Sequence, residues 1–441
     1  MKLKIIPTTK LQGEITAPPS KSYSHRAFVA SSLAKGVSII KNPLISGDVE
    51  VTIDILKSIG HRISRVSEDT YMVKSNMGTI KPIKKLLDCK NSGTSIRIFC
   101  ALAMLIDGGL SFSGEFLKRK RPIIPLLNAL EYIGGNYNLT EKILRIKRKG
   151  KGCNAIELPG NISSQFVSAL LMMCPLLNCK KTNSITIKIT SPIVSYPYVK
   201  ITLDVLSSFG IIIQESLDDN KVGKYVITCG QNYRAQTFEI PGDFSSASFI
   251  IVAAIISPED SLVVIRNLNF DKPQGDQKII EILQRMGARI EVFKDKNSIS
   301  INGNINKYPL TGLAINIEDT PDLFPILSVV GAFAKGKTEL YNALNIRGKE
   351  SDRLSLVSQG LSKMGVKVKE EEDKLTIYHC DQLEGFDINH GGDHRVAMAF
   401  TIASLFAKNS SHISGIEVVK DSYPNFIEDI KKLGAKVKKL E

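Results

Sequence analysis

Tryptophan is absent from the 441-residue chain, and its seven cysteines are scattered, odd in number and free of any CxxC pair. This pattern favours buried, reduced thiols over a disulfide framework or a zinc site. We therefore expect no disulfide, no metal and a cytoplasmic location. The N-terminal stretch carries no apolar segment of the signal-peptide kind, which supports that location. No apolar run reaches the ~18 residues that a membrane span needs, so no membrane partner is expected.

Three sequence motifs of common enzyme classes are missing as well. None of GxxxxGK[ST], GxGxxG and GxSxG occurs, which argues against P-loop, dinucleotide-binding and α/β-hydrolase chemistry. Aromatic residues do not interleave with the basic runs, so a nucleic-acid partner is not expected either.

The chain does contain an excess of positive charge. Its 58 lysine and arginine residues outnumber 44 acidic residues, which gives a net charge of +14. Taken alone, a basic balance fits nucleic acid, a membrane surface or small anionic substrates as the partner. The length and the 43% hydrophobic content fit two or three domains, each with its own core.

Two series of helices repeat along the chain with one common period. In the first series, amphipathic helices end at glycines roughly 70–80 residues apart: Gly60, Gly134, Gly210, Gly287, Gly365 and Gly434. In the second series, polar turns open helices that are apolar on nearly all sides, and these turns begin near Ser20, Asn91, Gly160, Gly242, Asp319 and Gly391. Helices of the second kind are buried. The period predicts six α/β units, which fit two domains of three units each.

The starts of the second series carry residues that suit anion binding. Lysine and arginine normally favour the other end of a helix, so their presence beside a positive N-terminus is explained if an anion compensates them. The stretch Ser20–Arg26 is the leading example, because it contains Lys21, Ser22 and Arg26. For any one of these side chains, helix capping or a surface salt bridge is the alternative role.

Two acidic segments lie among the cations. Asp322 follows Pro321 at a predicted helix start, and Glu350 belongs to a run of five polar residues, Lys349–Arg353. Carboxylates near several cations stay ionised, which suits a general base more readily than an acid. Helix capping is the alternative role of both segments.

Seven motifs follow one another along nearly the whole chain: Pro19–Ser22 with Arg26, Asn91–Arg97, Gly160–Gln165, Pro321-Asp322, Lys349–Arg353, Asp393–Arg395 and Ser422–Pro424. Together they resemble the family of 3-phosphoshikimate 1-carboxyvinyltransferases, the EPSP synthases. The resemblance implies an α/β (α+β) fold of two similar domains, each with three βαβαββ units around a pseudo-threefold axis, like an inside-out α/β barrel. It also implies a discontinuous domain of residues 1–18 and 238–441, an inserted domain of residues 19–237, and an active site in the cleft between them.

The same resemblance implies the reaction. Enzymes of this family transfer the enolpyruvyl group of phosphoenolpyruvate to the 5-hydroxyl of shikimate 3-phosphate and release phosphate, a step of the shikimate pathway towards chorismate and the aromatic amino acids. The expected partners are therefore two small anions. No cofactor or metal is expected, because protein cations take that role. A monomer is expected.

Motif by motif, the resemblance assigns residues to each substrate. Shikimate 3-phosphate is expected to contact Lys21, Ser22, Arg26, Ser163, Ser164, Gln165, Ser195, Asp322, Asn345 and Lys349. Phosphoenolpyruvate is expected to contact Lys21, Gly93, Arg119, Gln165, Arg353 and Arg395. Asp322 is the expected base for the attacking hydroxyl, and Glu350, assisted by Lys21, is the expected acid for the enolpyruvyl methylene.

At two positions the chain departs from the family pattern. Leu117 stands where an arginine that binds phosphoenolpyruvate is usual, and Arg119 is the substitute we favour over Lys118. Asp421 stands where a lysine is usual, with Lys420 next to it.

The sequence leaves two alternative functions open. The related enolpyruvyltransferases that act on UDP-N-acetylglucosamine carry a Lys-Asn pair at the first motif and a cysteine on a mobile loop. This chain has Lys21-Ser22 and no cysteine in residues 114–122. A basic nucleic-acid-binding protein would account for the charge but not for the buried repeat.

Overall fold

Both helix series lie in two compact units of the chain, as seen in a computed structural model that describes residues 1–75, 84, 86–150, 152–153, 155–179 and 182–440. The discontinuous unit combines Met1–Pro18 with Pro241–Glu441, and the continuous unit is Pro19–Ile240. Within the described residues, each unit has three four-stranded sheets and its own apolar core.

Helices and strands alternate through both units. The strands are β1 (Lys2–Ile6), β2 (Gln12–Thr16), β3 (Val37–Lys41), β4 (Arg62–Ser67), β5 (Thr70–Lys74), β6 (Leu87–Asp88), β7 (Leu110–Ser113), β8 (Gly135–Leu139), β9 (Leu144–Arg148), β10 (Ile156–Leu158), β11 (Ser184–Ile189), β12 (Ile213–Leu217), β13 (Gly223–Thr228), β14 (Thr237–Glu239), β15 (Ser261–Arg266), β16 (Arg289–Phe293), β17 (Ser298–Gly303), β18 (Ala314–Asn316), β19 (Lys337–Tyr341), β20 (Val368–Glu370), β21 (Leu375–Tyr378), β22 (Asp387–Ile388), β23 (Ser411–Ser414) and β24 (Lys436–Leu440). The helices are α1 (Lys21–Leu33), α2 (Gly47–Ser58), α3 (Gly93–Leu102), α4 (Glu115–Lys118), α5 (Ile124–Glu131), α6 (Ser164–Met173), α7 (Pro197–Ser208), α8 (Phe244–Ile255), α9 (Lys278–Met286), α10 (Phe324–Phe333), α11 (Arg353–Lys363), α12 (His394–Leu405) and α13 (Phe426–Lys432).

Each sheet combines one parallel pair of strands with antiparallel partners. In the sheet with strand order β6-β7-β9-β8, the strands β6 and β7 run parallel, with Leu87 opposite Phe112, while β8 and β9 form an antiparallel hairpin. Helix α3 connects the parallel pair and α5 precedes the hairpin, which gives the order βαβαββ. The same order recurs in the sheets β10-β11-β13-β12 and β18-β19-β21-β20. The predicted α/β repeat is therefore confirmed.

Three sheets are completed by strands from distant parts of the chain. β14 pairs in parallel with β3, so Thr237 lies opposite Ile39. β2 pairs in parallel with β15, and β1 lies between β23 and β24. Because β14 belongs to a sheet of the continuous unit, that unit ends at Ile240 instead of the expected residue 237.

The six helices of the second series are buried, as the sequence predicts. All residues of α8 and α12 are buried, and so is every residue of α10 except the last. Five of the six helices begin with a capping side chain that accepts a hydrogen bond from a backbone N–H group. The capping residues are Ser20 at α1, Ser92 at α3, Ser163 at α6, Asp243 at α8 and Asp393 at α12. Apolar as they are, none of the helices in the described ranges is long enough to cross a membrane.

The glycines of the first series end their helices as predicted. All six have positive φ, from +79° at Gly210 to +112° at Gly287. Residues with a Cβ atom rarely adopt this left-handed backbone conformation, whereas glycine adopts it without strain. Each glycine thus turns the chain out of a half-exposed helix towards the next strand.

The expectation that every thiol is reduced is wrong for one pair. Cys153 and Cys179 form a disulfide with a Cα–Cα distance of 5.7 Å, although 26 residues separate them. They precede β10 and β11, which pair in parallel and so bring their N-terminal ends side by side. Spacing along the chain does not reveal this contact. The other five cysteines are free, and three of those are buried.

A buried polar chain connects α1, α2 and α3. His25 Nδ1 lies 2.7 Å from Thr52 Oγ1, which lies 2.8 Å from Ser95 Oγ. Burial lowers the pKa of His25 to about 3 and the pKa of His61 to about 4. Both imidazoles are therefore neutral in the folded chain at neutral pH.

These two histidines predict an acid-sensitive stability. The unfolded chain protonates them near pH 6.5, whereas the folded chain does not, so the free energy of unfolding falls as the pH drops from 7.5 to 5.5. Each histidine contributes about 1 kcal/mol to that fall. Chemical denaturation at both pH values should show a smaller fall for His25→Asn and for His61→Asn than for the wild type. Equal pH dependence in all three proteins would contradict the neutral, buried state.

Candidate functional site

The residues assigned to the substrates form one group in each unit. The continuous unit holds Lys21, Ser22, Arg26, Gly93, Arg119, Ser163, Ser164, Gln165 and Ser195. The discontinuous unit holds Asp322, Asn345, Lys349, Glu350, Arg353 and Arg395. Most of these residues lie in or directly before the first turn of a helix, where backbone N–H groups have no partner within the helix.

Arg26 is a deeply buried cation of the continuous unit, with 2% of its surface exposed. Its guanidinium donates to the Ser22 carbonyl (2.9 Å), Thr202 Oγ1 (2.7 Å), the Tyr198 carbonyl (3.2 Å) and Ser168 Oγ (3.4 Å). These acceptors are neutral, and no carboxylate in the described part of the chain pairs with Arg26. Burial lowers the pKa of Arg26 to about 10. Because a buried charge without a counter-charge is costly, this position favours a bound anion.

Lys21 begins α1 and is compensated by the protein itself. Its Nζ lies 3.2 Å from Asp48 Oδ2 in the first turn of α2. Both side chains are largely shielded from water. A ligand anion near Lys21 would share the ammonium group with Asp48. The positive charge at this helix start is therefore already offset in part before any ligand binds.

Arg97 links the starts of α3 and α6. Its Nη1 donates to Gln165 Oε1 (2.5 Å), and Gln165 Nε2 donates to Thr94 Oγ1 (3.0 Å). The guanidinium lies over two aromatic rings, 5.1 Å from the centroid of Phe116 and 5.3 Å from that of Phe166. Cation–π contacts of this kind favour the charged, planar group. Gln165, which is assigned to both substrates, is thereby held in one orientation.

Three serines of the continuous group are placed by helix starts. Ser163 caps α6 by accepting the Gln165 N–H (3.3 Å), and Ser164 is a buried residue of the same first turn. Ser195 precedes α7 and has a φ of +54°, which is uncommon for a residue with a side chain. Such backbone strain clusters at functional sites, where it positions a group for a ligand.

Arg353 is the centre of the group in the discontinuous unit, and its side chain is 1% exposed. Its Nε donates to Asp393 Oδ2 (2.8 Å), its Nη1 to Asp322 Oδ1 (2.6 Å) and its Nη2 to Glu350 Oε2 (2.7 Å). Burial acts to lower the pKa of Arg353, but the three carboxylate charges outweigh it and hold the pKa well above its ordinary value. One arginine thus fixes both expected acid–base residues.

Asp322 lies between two arginines. Arg395 Nη2 is 3.0 Å from Asp322 Oδ2, while Arg353 bonds the other carboxylate oxygen. Helix capping, the alternative role, does not apply because Leu323 occupies the cap position of α10. The carboxylate of Asp322 therefore contacts Arg353 and Arg395, two residues that are expected to bind phosphoenolpyruvate.

Glu350, Lys349 and Asn345 lie in the segment before α11. Glu350 does not cap that helix either, because the side chain of Asp352 does. Asn345 donates its Nδ2 hydrogen to the Glu318 carbonyl (3.4 Å), and Lys349 is half-buried. The polar run predicted from the sequence thus contains one cap and one partner of Arg353.

Asp276 is a buried carboxyl group that the sequence analysis did not single out. It is 4% exposed and accepts a hydrogen bond from Ser245 Oγ. Burial and the charge of Asp322 raise the pKa of Asp276 to about 7. The residue lies in a short 3-10 turn before α9, where neither helical periodicity nor a glycine-rich motif marks it. A partly protonated carboxyl group therefore interacts electrostatically with the expected base.

The structure also shows the surroundings of the two positions that depart from the family pattern. Leu117 is buried in the core, and Arg119 is an exposed residue 3.5 Å from Glu115. Lys420 is exposed and Asp421 is half-buried, both in a 3-10 turn. Neither basic residue is buried in the way that Arg26 and Arg353 are.

The two groups suit complementary chemistry. Buried guanidinium groups and helix starts bind and orient anions. Carboxylates held at hydrogen-bond distance from arginines stay ionised and accept protons. The arrangement therefore fits a reaction in which anionic substrates are positioned and a proton is moved.

Comparisons with known proteins agree on one family. The family model described as EPSP synthase (3-phosphoshikimate 1-carboxyvinyltransferase) matches residues 5–430. The 3-phosphoshikimate 1-carboxyvinyltransferase of Methanocaldococcus jannaschii is 40% identical over 437 residues, which cover 98% of this chain and 97% of that protein. The protein of the same name from Methanococcus maripaludis strain C5 is 38% identical over 437 residues, 98% of each chain.

Solved structures show the same relationship. An EPSP synthase from Acinetobacter baumannii superposes with a TM-score of 0.79 and 25% identity, and the match covers 99% of both chains. The enolpyruvyl transferase NikO from Streptomyces tendae gives a TM-score of 0.78 over 99% of this chain and 98% of its own. At 16% identity, that second likeness concerns the fold alone.

The surroundings of Arg26 predict stabilisation by anions. Inorganic phosphate at ten times its dissociation constant should stabilise the folded chain by about 1.4 kcal/mol, seen as a higher thermal midpoint. Arg26→Gln should lose at least half of that shift, because glutamine carries no charge. The matched control Arg266→Gln removes an exposed arginine that bonds Glu14 (2.8 Å) and should keep the full shift. A full shift in Arg26→Gln would contradict anion binding at this residue.

Proposed function

The chain belongs to the EPSP synthase family, and on that premise we propose that it transfers the enolpyruvyl group of phosphoenolpyruvate to the 5-hydroxyl of shikimate 3-phosphate, with release of phosphate. The observation that best supports anionic substrates is the buried guanidinium of Arg26, whose partners among the described residues are all neutral. The reaction is a step of the shikimate pathway, which leads to chorismate and the aromatic amino acids.

The continuous unit supplies most of the proposed contacts to shikimate 3-phosphate. Arg26 and the hydroxyl groups of Ser163 and Ser164 bind its anionic end, supported by the start of α6. A charge-assisted hydrogen bond of this kind contributes about 1.5–3 kcal/mol. Ser195, whose backbone is held in a strained conformation, adds a further contact. The remaining contacts in this proposal come from Lys21, Ser22, Gln165, Asp322, Asn345 and Lys349.

Arg353 and Arg395 bind phosphoenolpyruvate, joined by Lys21, Gly93 and Gln165. Positioning the two anions converts an encounter of separate molecules into a reaction within one complex. Both arginines bond Asp322, and Arg353 also bonds Glu350. Phosphoenolpyruvate must therefore compete with these carboxylates for the same guanidinium groups.

The proton transfers balance across two steps. In the first step Asp322 takes the proton of the 5-hydroxyl group, and the oxygen of that hydroxyl group bonds to C2 of phosphoenolpyruvate. Glu350, assisted by Lys21, gives a proton to the methylene carbon C3. In the second step Glu350 takes one proton back from C3 as the C–O bond to phosphate breaks, which restores the double bond. The departing phosphate takes the proton held by Asp322, so both carboxyl groups return to their starting states. Each positioned proton transfer accelerates the reaction by about 10²–10⁴.

A monomer working in the cytoplasm completes the proposal. All the residues in the assignment belong to one chain, and five of the seven cysteines are free. The sister reaction on UDP-N-acetylglucosamine is not favoured, because the curated relatives carry the name 3-phosphoshikimate 1-carboxyvinyltransferase. A nucleic-acid-binding function is not favoured for the same reason.

Phosphate release by the purified chain tests the reaction. We expect release only when shikimate 3-phosphate and phosphoenolpyruvate are both present, with one enolpyruvyl product formed per phosphate. Reactions with either substrate alone, or with UDP-N-acetylglucosamine in place of shikimate 3-phosphate, serve as controls. A folded chain, verified by circular dichroism, that forms no product from the pair would overturn the proposal.

Asp322→Asn separates catalysis from binding. The variant should lose about 10²–10⁴ in kcat, because it removes the base. It should also bind phosphoenolpyruvate more tightly, because Arg353 and Arg395 lose a charged competitor. Steady-state kinetics and calorimetric titration measure the two effects. Asp319→Asn removes a carboxylate from the same turn, 4.0 Å from Lys278, and should change neither. An unchanged kcat would exclude Asp322 as the base.

A further inference from the structure

Two of the groups that hold the guanidinium of Arg26 are hydroxyl groups outside the substrate assignment. The Nε atom of Arg26 donates to Thr202 Oγ1 (2.7 Å), and its Nη2 atom donates to Ser168 Oγ (3.4 Å). Thr202 is 0% exposed and Ser168 is 1% exposed. Both hydroxyl groups therefore belong to the interior of the continuous unit and not to a surface that water reaches.

Arg26, Ser168 and Thr202 form an inner polar layer, one turn deeper than the helix starts. Residues four apart lie on the same face of an α-helix. Arg26 follows Ser22 by four residues in α1, and Ser168 follows Ser164 by four residues in α6. Thr202 lies in the second turn of α7. The outer turns of α1 and α6 thus carry residues assigned to shikimate 3-phosphate, and the inner layer lies behind them.

The hydrogen atom of the Thr202 hydroxyl group points away from Arg26. A guanidinium nitrogen only donates, so Thr202 Oγ1 must be the acceptor at Arg26 Nε. The single hydroxyl hydrogen is then directed at Ser168 Oγ (2.8 Å) or at the Tyr198 carbonyl (3.0 Å), one turn earlier in α7. Either bond leaves a lone pair of the hydroxyl oxygen directed at the guanidinium group.

These bonds also fix the plane of the Arg26 guanidinium group. Its Nη1 donates to the Ser22 carbonyl of the same helix (2.9 Å), whereas its Nη2 donates to the Tyr198 carbonyl of α7 (3.2 Å). Because the group is planar and is held at three nitrogens, it cannot turn without breaking a bond. A cation that is already ordered loses less side-chain freedom when it binds an anion.

We propose that Thr202, supported by Ser168, is a positioning residue that aims the guanidinium of Arg26 at the anionic end of shikimate 3-phosphate. Neither hydroxyl group contacts the substrate, and both act through Arg26. The inference rests on the proposed function and deepens it by adding residues behind the site. Ser195 precedes α7 by two residues, so this one helix serves the substrate through Ser195 and through Thr202.

Steady-state kinetics of Thr202 variants test the proposal. Thr202→Val keeps the branched shape but leaves the Arg26 Nε–H without its acceptor, so the KM for shikimate 3-phosphate should rise about 10-fold. The KM for phosphoenolpyruvate should stay as in the wild type. Thr202→Ser restores the hydroxyl group and should recover most of the lost affinity. The matched control Thr401→Val removes an equally buried hydroxyl group, which donates to the Ala397 carbonyl (2.8 Å), and should change neither KM.

A purely structural role of Thr202 predicts a different result. Thr202→Val would then lower the thermal midpoint and raise both KM values together, or Thr202→Ser would fail to lower the KM again. Either result overturns the proposal, and so does an unchanged KM for shikimate 3-phosphate in Thr202→Val. If Thr202→Val does not fold, Ser168→Ala takes its place: a smaller rise in the same KM supports the proposal, and no rise overturns it.

Binding of inorganic phosphate separates this inference from the proposed function. If the wild type gives no turnover, the proposed function fails, but thermal shifts with phosphate still decide the role of Thr202. A higher dissociation constant for phosphate in Thr202→Val than in Thr401→Val supports the inference. Equal dissociation constants in the two variants, or a wild type that phosphate does not stabilise, overturn it.

Discussion

The buried guanidinium group of Arg353 is the interaction on which the site of the discontinuous unit depends. Three carboxylates from separate segments share it, so their positions are fixed relative to one another before a ligand arrives. Burying an arginine at this depth without partners would lower the stability of the fold. Three neighbouring carboxylates without a cation would repel one another. The arginine neutralises the repulsion among the carboxylates, and the carboxylates compensate the buried charge of the arginine. The ion pairs that stabilise the fold at this point therefore also orient Asp322 and Glu350, the two residues to which we assign the proton transfers.

The continuous unit accommodates a buried arginine in the opposite way. Its helices and strands follow a similar order, yet Arg26 is surrounded by neutral oxygen atoms. Folding has already removed this charge from water, so an anion that binds there gains attraction without repeating that desolvation. The charge of Arg353 is thus balanced by carboxylates of the protein, whereas Arg26 keeps an attraction for an anion.

The sequence predicts most of this fold because two periodic signals coincide. Apolar helices with capped starts and amphipathic helices with glycine ends both leave local marks, and the structure contains them in the predicted places. Contacts between distant segments leave no such mark. The pairing of β14 with β3, the disulfide Cys153–Cys179 and the burial of Asp276 all arise from tertiary placement.

The pairing of β1 with β23 and β24 affects the order in which the two units can fold during synthesis. Every strand of the continuous unit lies within residues 19–240, so that unit has all its parts while synthesis is still under way. The discontinuous unit does not, because Lys2 pairs opposite Leu440 at the far end of the chain. The edge of β1 that pairs with β24 therefore stays unpaired until β24 has been synthesised. Unpaired strand edges favour aggregation and distant contacts slow folding, so the discontinuous unit is the part of the chain that both effects concern most during synthesis.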